Sequence, residues 1–324
     1  MDLIGTILWP LKWAVELLLV AFHWLFSNLG MGYNDGITWV LSIVGLVLVV
    51  RAALIPIFVK QIKSQRKMLE VAPQLKKIQD KYKGKKDQFS REAMSRETME
   101  LYKRTGTNPL ASCLPLLLQM PIFFALFSVL NDAQRSNAGV GPLNQSLATS
   151  FGNANLFGVA PLHDTFAQQW TLWTGGQDFN LSVMIIAATM VVLMTASQFI
   201  TQLQIVSKNM SPETKASPMF KQQKIMLYLL PLVFAFSGVA FPLGVMFYWL
   251  TSNIWTMAQQ FLVIRNMPTP GSEAAKAREE RLARKGKLIA TDGDVIVVDE
   301  VKKPAQRQQP VGKSRAKKQT GPKK

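Results

Sequence analysis

The feature that most constrains this chain is an alternation along its length. Uncharged apolar runs long enough to cross a bilayer are separated by strongly basic segments. Residues 37–59 carry no charge except Arg51, and at about 1.5 Å per helical residue such a run reaches the roughly 30 Å of a hydrocarbon core. Residues 181–206, LSVMIIAATMVVLMTASQFITQLQIV, form a second run that is polar only at small or amide side chains. Residues 225–262 are too long for one crossing, and FPLG at 241–244 places a proline and a glycine near the middle, which predicts a helical hairpin. The stretch 108–130 holds Pro109, Pro115 and Pro121 but no charge, and transmembrane helices tolerate proline better than soluble ones do. The reading is an all-α polytopic membrane protein with five crossings near 37–60, 111–130, 181–203, 225–241 and 243–262.

Charge sets the expected orientation. The chain has 324 residues, 37 Lys plus Arg against 20 Asp plus Glu, and is still 48% hydrophobic, because the basic residues fall almost entirely in 60–104, 208–224 and 265–324. Residues 60–104 hold fourteen Lys and Arg, whereas 131–180 holds Arg135 against Asp132, Asp164 and Asp178. Short cytoplasmic segments carry the basic excess, so the expectation is a multi-pass protein of the cell membrane with the N-terminus outside and the C-terminus cytoplasmic. The domain reading follows. Residues 1–36 are the outer N-terminus, 37–60 the first crossing, 61–107 a cytoplasmic segment and 108–130 the second crossing. An outer loop at 131–180, the third crossing at 181–206, a cytoplasmic loop at 207–223, the hairpin at 224–265 and a basic, mostly disordered tail at 266–324 complete it. A net charge of +17 also suits nucleic acid, but basic cytoplasmic loops already account for it and DNA is not an expected partner.

Catalytic chemistry finds little support. Cys113 is the sole cysteine, which excludes an intrachain disulfide and thiolate metal clusters. His23 and His163 stand apart from ligand-spaced companions and are expected at a surface or interface. Walker, GxGxxG, G-x-S-x-G and HExxH patterns are missing from the sequence. No enzyme activity, cofactor or metal is expected.

Three further segments have a local reading. Residues 7–26, with Trp9, Trp13 and Trp24, suit either a crossing or an interfacial helix; Lys12 and Glu16 are spaced as an i,i+4 pair on one face, and the interfacial reading is preferred. Residues 61–104 predict two helices joined at KGKK, 83–86, with Ile62, Met68, Leu69, Ala72, Leu75, Ile78 and Tyr82 near one face of the first and Met94, Leu101 and Tyr102 on the second. In the tail, TDGDVIVVDE contains a short β-prone run, and 302–324 is expected to be disordered.

Arg51 is the anomaly. A guanidinium facing lipid near mid-bilayer costs about 2.5–3.5 kcal/mol or more and cannot readily shed its proton. No aspartate or glutamate occurs in the five crossings, so an intramembrane ion pair has no partner there. Along a continuous helix Lys60 lies nine residues away, about 14 Å, too far for easy snorkelling. A wet cavity is the simpler solvent, with Gln119, Thr195, Ser197, Gln198, Thr251, Ser252 and Asn253 available to line it. Many of these hydroxyls could equally bond backbone carbonyls.

Three stretches resemble the YidC family of membrane protein insertases, related to the Oxa and Alb insertases of organelles. They are LVVRAALIPIFVKQIKSQRKMLEVAPQLKKIQDKYKGKKDQFSREAM (48–94), LYKRTGTNPLASCLPLLLQMPIFFALFSVL (101–130) and KIMLYLLPLVFAFSGVAFPLGVMFYWLTSNIWTMAQQFLVIR (224–265). The pattern N-P-L-A-x-C-L-P-x-L-x-Q-M-P-I-F, beginning at Asn108, is long and specific. The resemblance implies a five-transmembrane-helix insertase core with a cytoplasmic two-helix hairpin and a preceding interfacial helix. Such a protein inserts and helps fold membrane proteins, alone or with the Sec translocon, without nucleotide hydrolysis. It implies that Arg51 and Gln119 lie in a substrate groove open to cytoplasm and lipid, with Tyr248, Trp249 and Asn253 from the last crossing. Implied partners are nascent membrane proteins, membrane lipids and the Sec translocon; by charge alone, the basic hairpin suits the ribosome and the basic tail either the ribosome or anionic lipid. The chain resembles an actinobacterial-like short form, without the large periplasmic domain of Gram-negative relatives, and the 131–180 loop inherits no role.

Overall fold

The computed structural model describes residues 3–85, 87–107, 114–135, 137–215, 218–285, 288–291 and 294–297. The protein divides into two compact units, 1–275 and 276–324. The sequence reading of 302–324, together with Pro109 and Cys113, lies outside the described residues.

The first unit is almost wholly helical. Its long helices are α1 (Leu3–Asn28), α2 (Gly36–Ala53), α3 (Ile55–Lys81), α4 (Gln88–Thr105) and α5 (Leu114–Gln134). Between α5 and the next long helix lie α6 (Gln145–Gly152), the two-residue strands β1 (Asn155–Leu156) and β2 (Ala160–Pro161), and α7 (Phe166–Thr174). Then come α8 (Leu181–Lys208), the short α9 (Pro212–Lys215), α10 (Pro218–Gly238) and α11 (Leu243–Asn266). Among the described residues, three segments are long and apolar enough by length and composition to cross a membrane: Gly5–Asn28, Gly36–Ala53 and Leu181–Lys208.

Helix α8 shows why these helices belong in lipid. Val183, Ala187, Met190, Met194, Ser197 and Thr201 are buried, at alternating spacings of four and three that make one seam, and α11 is its most extensive neighbour. Leu181, Ile185, Val192, Leu193, Ile200 and Leu203 are exposed. Helix α10 presents Ile225, Leu229, Leu232, Val233 and Phe236 in the same way. Apolar surface on this scale does not persist in water. With lipid outside, close packing and not water exclusion holds the helices together. Gly45 of α2 illustrates it: a Cβ there would stand 2.6 Å from the Phe22 ring of α1.

The chain is interrupted where the sequence suggested one continuous helix over 37–60. Helix α2 ends at Ala53, Leu54 intervenes, and Pro56 sits in the first turn of α3. Proline has no N–H to continue the ladder, while Leu54 N–H still reaches Val50 O and Phe58 N–H reaches Leu54 O on either side. Arg51 therefore lies in the last turn of α2, and its distance to Lys60 cannot be counted along one straight helix.

Helices α3 and α4 pair antiparallel. The side chains of Lys81 and Tyr82 meet Glu97, and Arg104 donates to Gln74 Oε1 at 3.3 Å. Asp87 caps α4 by accepting from Ser90 N–H at 2.8 Å, and Gly106, with φ +61°, ends it in the left-handed conformation. Met68 and Val71 on α3 and Leu101 and Tyr102 on α4 are buried.

Residues 139–180 form a folded cap. Leu143, Leu147, Phe151, Leu156 and Leu162 are buried in one core with Trp39 of α2 and Leu243 of α11. Trp39 Nε1–H donates to Ser150 Oγ at 3.2 Å and its ring meets Phe151 edge-on at 5.1 Å. Backbone bonds tie the cap to the α10–α11 turn: Leu243 N–H to Asp164 O, Gly244 N–H to Leu162 O and Ala167 N–H to Val239 O. Asp35 bridges Asn155, and a Cβ on Gly36 would lie 2.5 Å from the Asn155 carbonyl. The cap thus covers the first turns of α2 and α11.

Two local expectations are corrected. Glu16 does not pair with Lys12 on an outer face. It is 1% exposed, and its carboxylate accepts from the backbone N–H groups of Val140 (2.8 Å), Gly141 (2.7 Å) and Leu143 (3.4 Å) in the cap. Three oriented amides satisfy a buried carboxylate better than one lysine on an exposed face does. His23 is likewise interior at 1% exposed. It stacks on Trp39 at 3.9 Å, and its Nε2 lies 2.9 Å from Tyr33 O. His163 stays partly exposed beside Asp164.

The second unit contains most of α12 (Glu273–Arg284) and an antiparallel pair, β3 (Leu288–Thr291) with β4 (Asp294–Val297), in which Leu288 faces Val297 and Thr291 faces Asp294. The β-prone run of the tail forms the second of these strands.

Candidate functional site

Helices α1, α2, α5 and α11 line a narrow, partly open cavity. Most of the wall is apolar: Val15 comes from α1, Leu46, Val47 and Val50 from α2, and Ile122 and Leu126 from α5, with Leu54 at the break. Its polar groups are Arg51, Gln119 and Tyr248. Each is a residue expected in the groove, and the fold brings the three together from α2, α5 and α11.

Arg51 is held by an unusual set of neighbours. Its Nη2 donates to Ser252 Oγ, one turn beyond Tyr248 on α11, and the guanidinium carbon lies 5.9 Å from the centre of the Phe58 ring, within cation–π range. No carboxylate among the described residues comes within ion-pair distance of it. Gln119 Nε2 points to Tyr248 Oη at 3.4 Å, a long and weak contact that leaves most of the amide's capacity for other partners. The guanidinium has five N–H donors, and one serine hydroxyl uses a single one. The site is a positively charged corner with spare hydrogen-bonding capacity inside an otherwise greasy wall.

Two expected groove residues lie elsewhere. Trp249 packs its ring against Phe234 (4.8 Å), Phe241 (5.3 Å) and Phe123 (5.5 Å), where it joins α5, α10 and α11. Asn253 directs Nδ2 toward Met194 O of α8 at 3.5 Å. Adjacent helix positions point about 100° apart, so Tyr248 can face the cavity while Trp249 does not, and Ser252 can meet Arg51 while Asn253 turns to α8. Two hydroxyls considered as cavity lining instead bond carbonyls of their own helix: Ser197 to Met194 O and Thr251 to Phe247 O. Val15 went unnoticed in the sequence because an apolar residue in an apolar helix carries no signal of its own.

On the α3 and α8 side, Gln61 has both amide atoms buried without a protein hydrogen-bond partner, as does Oε1 of Gln198 and of Gln204. Buried amide atoms are rarely left unmatched. All three lie outside the Arg51 pocket.

The fold and cavity define a class: a multi-pass helical membrane protein with a guanidinium that has no carboxylate partner among the described residues at an internal polar corner, and a folded cap over the opposite ends of its helices. Residues 31–270 match the model of the family described as 60Kd inner membrane protein. The chain is 47% identical over 316 residues to the membrane protein insertase YidC of Tropheryma whipplei strain Twist, covering 98% of this chain and 97% of that protein. It is 45% identical to the insertase of the same name from Streptomyces avermitilis over 85% of this chain and 61% of that protein. For the Bifidobacterium longum protein of that name the identity is 36%, over 96% and 95%. The chain belongs to the YidC family of membrane protein insertases, the family of the Oxa and Alb proteins, in a form similar to those of Actinobacteria.

Proposed function

We propose that this protein inserts integral membrane proteins into the bilayer and helps them fold, without nucleotide hydrolysis, by sheltering a hydrophilic stretch of the client at Arg51. Family membership supports the activity. The observation that carries the site is Arg51 itself, a guanidinium on the cavity wall whose neighbours are a hydroxyl and an aromatic ring.

The reading takes α2, α5, α8, α10 and α11 as five crossings and α1 as a helix at the outer interface. The N-terminus and the 131–180 cap are outside, and the α3–α4 pair and the tail are cytoplasmic. Basic excess in 60–104 supports that orientation. In it, Arg51 sits toward the cytoplasmic end of α2 and the cap closes the other end, so the cavity admits chain from the cytoplasm without opening a pore. The polar flank of a client waits near Arg51, Gln119 and Tyr248 while its apolar segment moves into lipid. Apolar transfer is favourable by roughly 25 cal/mol per Å², which supplies direction without ATP. Acidic residues in the flank gain most from the unpaired charge. Trp249 and Asn253 are assigned to supporting the groove wall.

Partners in this reading are nascent membrane proteins and lipids, with the Sec translocon beside it for some clients. The basic α3–α4 pair and tail engage the ribosome, since attraction to polyanionic RNA needs only clustered positive charge.

Purified protein in liposomes tests the activity. A short-tailed client added without nucleotide becomes protease-protected if the reading is right, and the same liposomes show no sustained flux of small anions. Flux without client protection would make the protein a channel or transporter; neither activity would make it a passive scaffold.

A further inference from the structure

Helix α7, in the cap, is built against the usual rule for a helix in water. Its one buried residue is Gln169, which donates from Nε2 to Asp164 Oδ2 at 2.9 Å and accepts the Asn180 N–H on Oε1 at 2.7 Å. Its tryptophans are outside: Trp170 is 47% exposed and Trp173 48%. They belong to a ladder of rings. Phe166 stacks on Trp170 at 6.1 Å, Trp170 meets Trp173 at 4.9 Å, and Trp173 meets Phe179 at 6.2 Å. The helix FAQQWTLWT carries no charge.

We infer that this aromatic face of α7 is a lipid contact, lying in the headgroup–acyl boundary at the end of the bilayer where α8 begins. Continuity with α8 decides the occupant. The ladder ends at Phe179, two residues before α8 starts, and the exposed apolar surface continues through Leu181 and Ile185, each 57% exposed. Surface of that kind on a membrane-crossing helix faces acyl chains. A neighbouring set of tryptophans at its end matches the amphipathic ring chemistry that favours the interface, where the ring is apolar and the indole N–H can reach headgroup oxygens. The absence of charge on α7 argues against an anionic polymer or a charge-matched protein as the occupant. Gln169, pinned to Asp164 and to the residue that caps α8, fixes the rotation of α7 with Trp170 and Trp173 left about half exposed. The inference rests only on α8 crossing the membrane, and it stands or falls independently of the insertase reading.

Spin labels measure it in full-length protein carrying Cys113→Ser, reconstituted in phosphatidylcholine–phosphatidylglycerol vesicles. Cysteines are introduced singly by Trp170→Cys, Trp173→Cys and, on the opposite side of α7, Gln168→Cys. The expected result is higher accessibility to oxygen and lower accessibility to a water-soluble nickel chelate at 170 and 173 than at 168. Equal profiles at the three positions would place α7 in water and overturn the inference. Labels at 170 and 173 shielded from both reagents would overturn it too, and give the surface to a protein partner. Bromolipid quenching needs no label and covers the case in which a cysteine variant misfolds. Emission lost in Trp170→Phe/Trp173→Phe relative to wild type should be the quenched fraction, and if it is the unquenched fraction the rings do not touch lipid.

Discussion

Arg51, in the last turn of α2, donates from Nη2 to the hydroxyl of Ser252 on α11, 201 positions along the chain. The pair joins the end of the first crossing to the last one and fixes which way the charge points. Ser252→Ala should leave the charge but free its direction. Loss of a hydrogen bond to a charged group costs about 1.5–3 kcal/mol, readable as an earlier unfolding midpoint in a detergent titration. Client insertion should fall less than on removing the charge, because Tyr248 and Phe58 still flank the guanidinium.

Glu16 makes a sharper stability prediction. In Glu16→Ala the N–H groups of Val140, Gly141 and Leu143 lose their acceptor, at about 2–4 kcal/mol in total. Glu16→Gln keeps one acceptor oxygen and should fall between. Limited proteolysis should show cleavage near 139–143 first in the alanine variant.

The α1–α2 contact is tested by Gly45→Ala. Its Cβ would press on the Phe22 ring at 2.6 Å, an overpacking worth about 1–3 kcal/mol. Phe22→Ala in the same chain should recover part of that loss, and a simple sum of the two single effects would mean that the residues do not meet.

Outside the membrane, the Lys81–Glu97 pair predicts a pH response. Hydrogen bonding to Lys81 and then to Tyr82 holds Glu97 below its ordinary value of 4.5, so its contribution is complete above that value and is lost as pH falls. Hydrogen bonding to Glu97 raises Lys81 above 10.5, so its contribution is complete below that value and is lost as pH rises. Protection of the α4 amides, meaning exchange measured relative to the intrinsic rate at each pH, should therefore be greatest at intermediate pH, with the acid limb flattened in Glu97→Gln. Both side chains are solvated, so the effect should be small and weaken with salt.

How much of this was legible in the sequence depends on the kind of signal. Arg51 and Gln119 stood out because polar groups in apolar runs need a partner, and the cavity supplies one. The FPLG break was readable from its proline and glycine, and α10 and α11 do turn there. Pro56 carried the same information about Leu54, yet a long uncharged run invited one straight helix. Glu16 and His23 were misplaced for a different reason. Their partners are backbone groups and rings 10 or more residues away, which no local spacing can reveal. Gly139 and Gly141 flanking Val140 were the available hint, since a Cβ on Gly139 would meet the Glu16 carboxylate at 2.4 Å. The cap was read as a loop because Leu143, Leu147, Phe151, Leu156 and Leu162 follow no single helical or strand period; its core forms only against Trp39 and Leu243.

The central claim is that the positive charge at Arg51 is what the client needs. Rescue of insertase-depleted cells by wild type, Arg51→Lys and Arg51→Ala, with membrane levels of each protein matched, measures it for clients with and without acidic flanks. The account predicts that lysine substitutes for arginine and that alanine fails most severely for acidic flanks. Equal rescue of every client by all three proteins would contradict it.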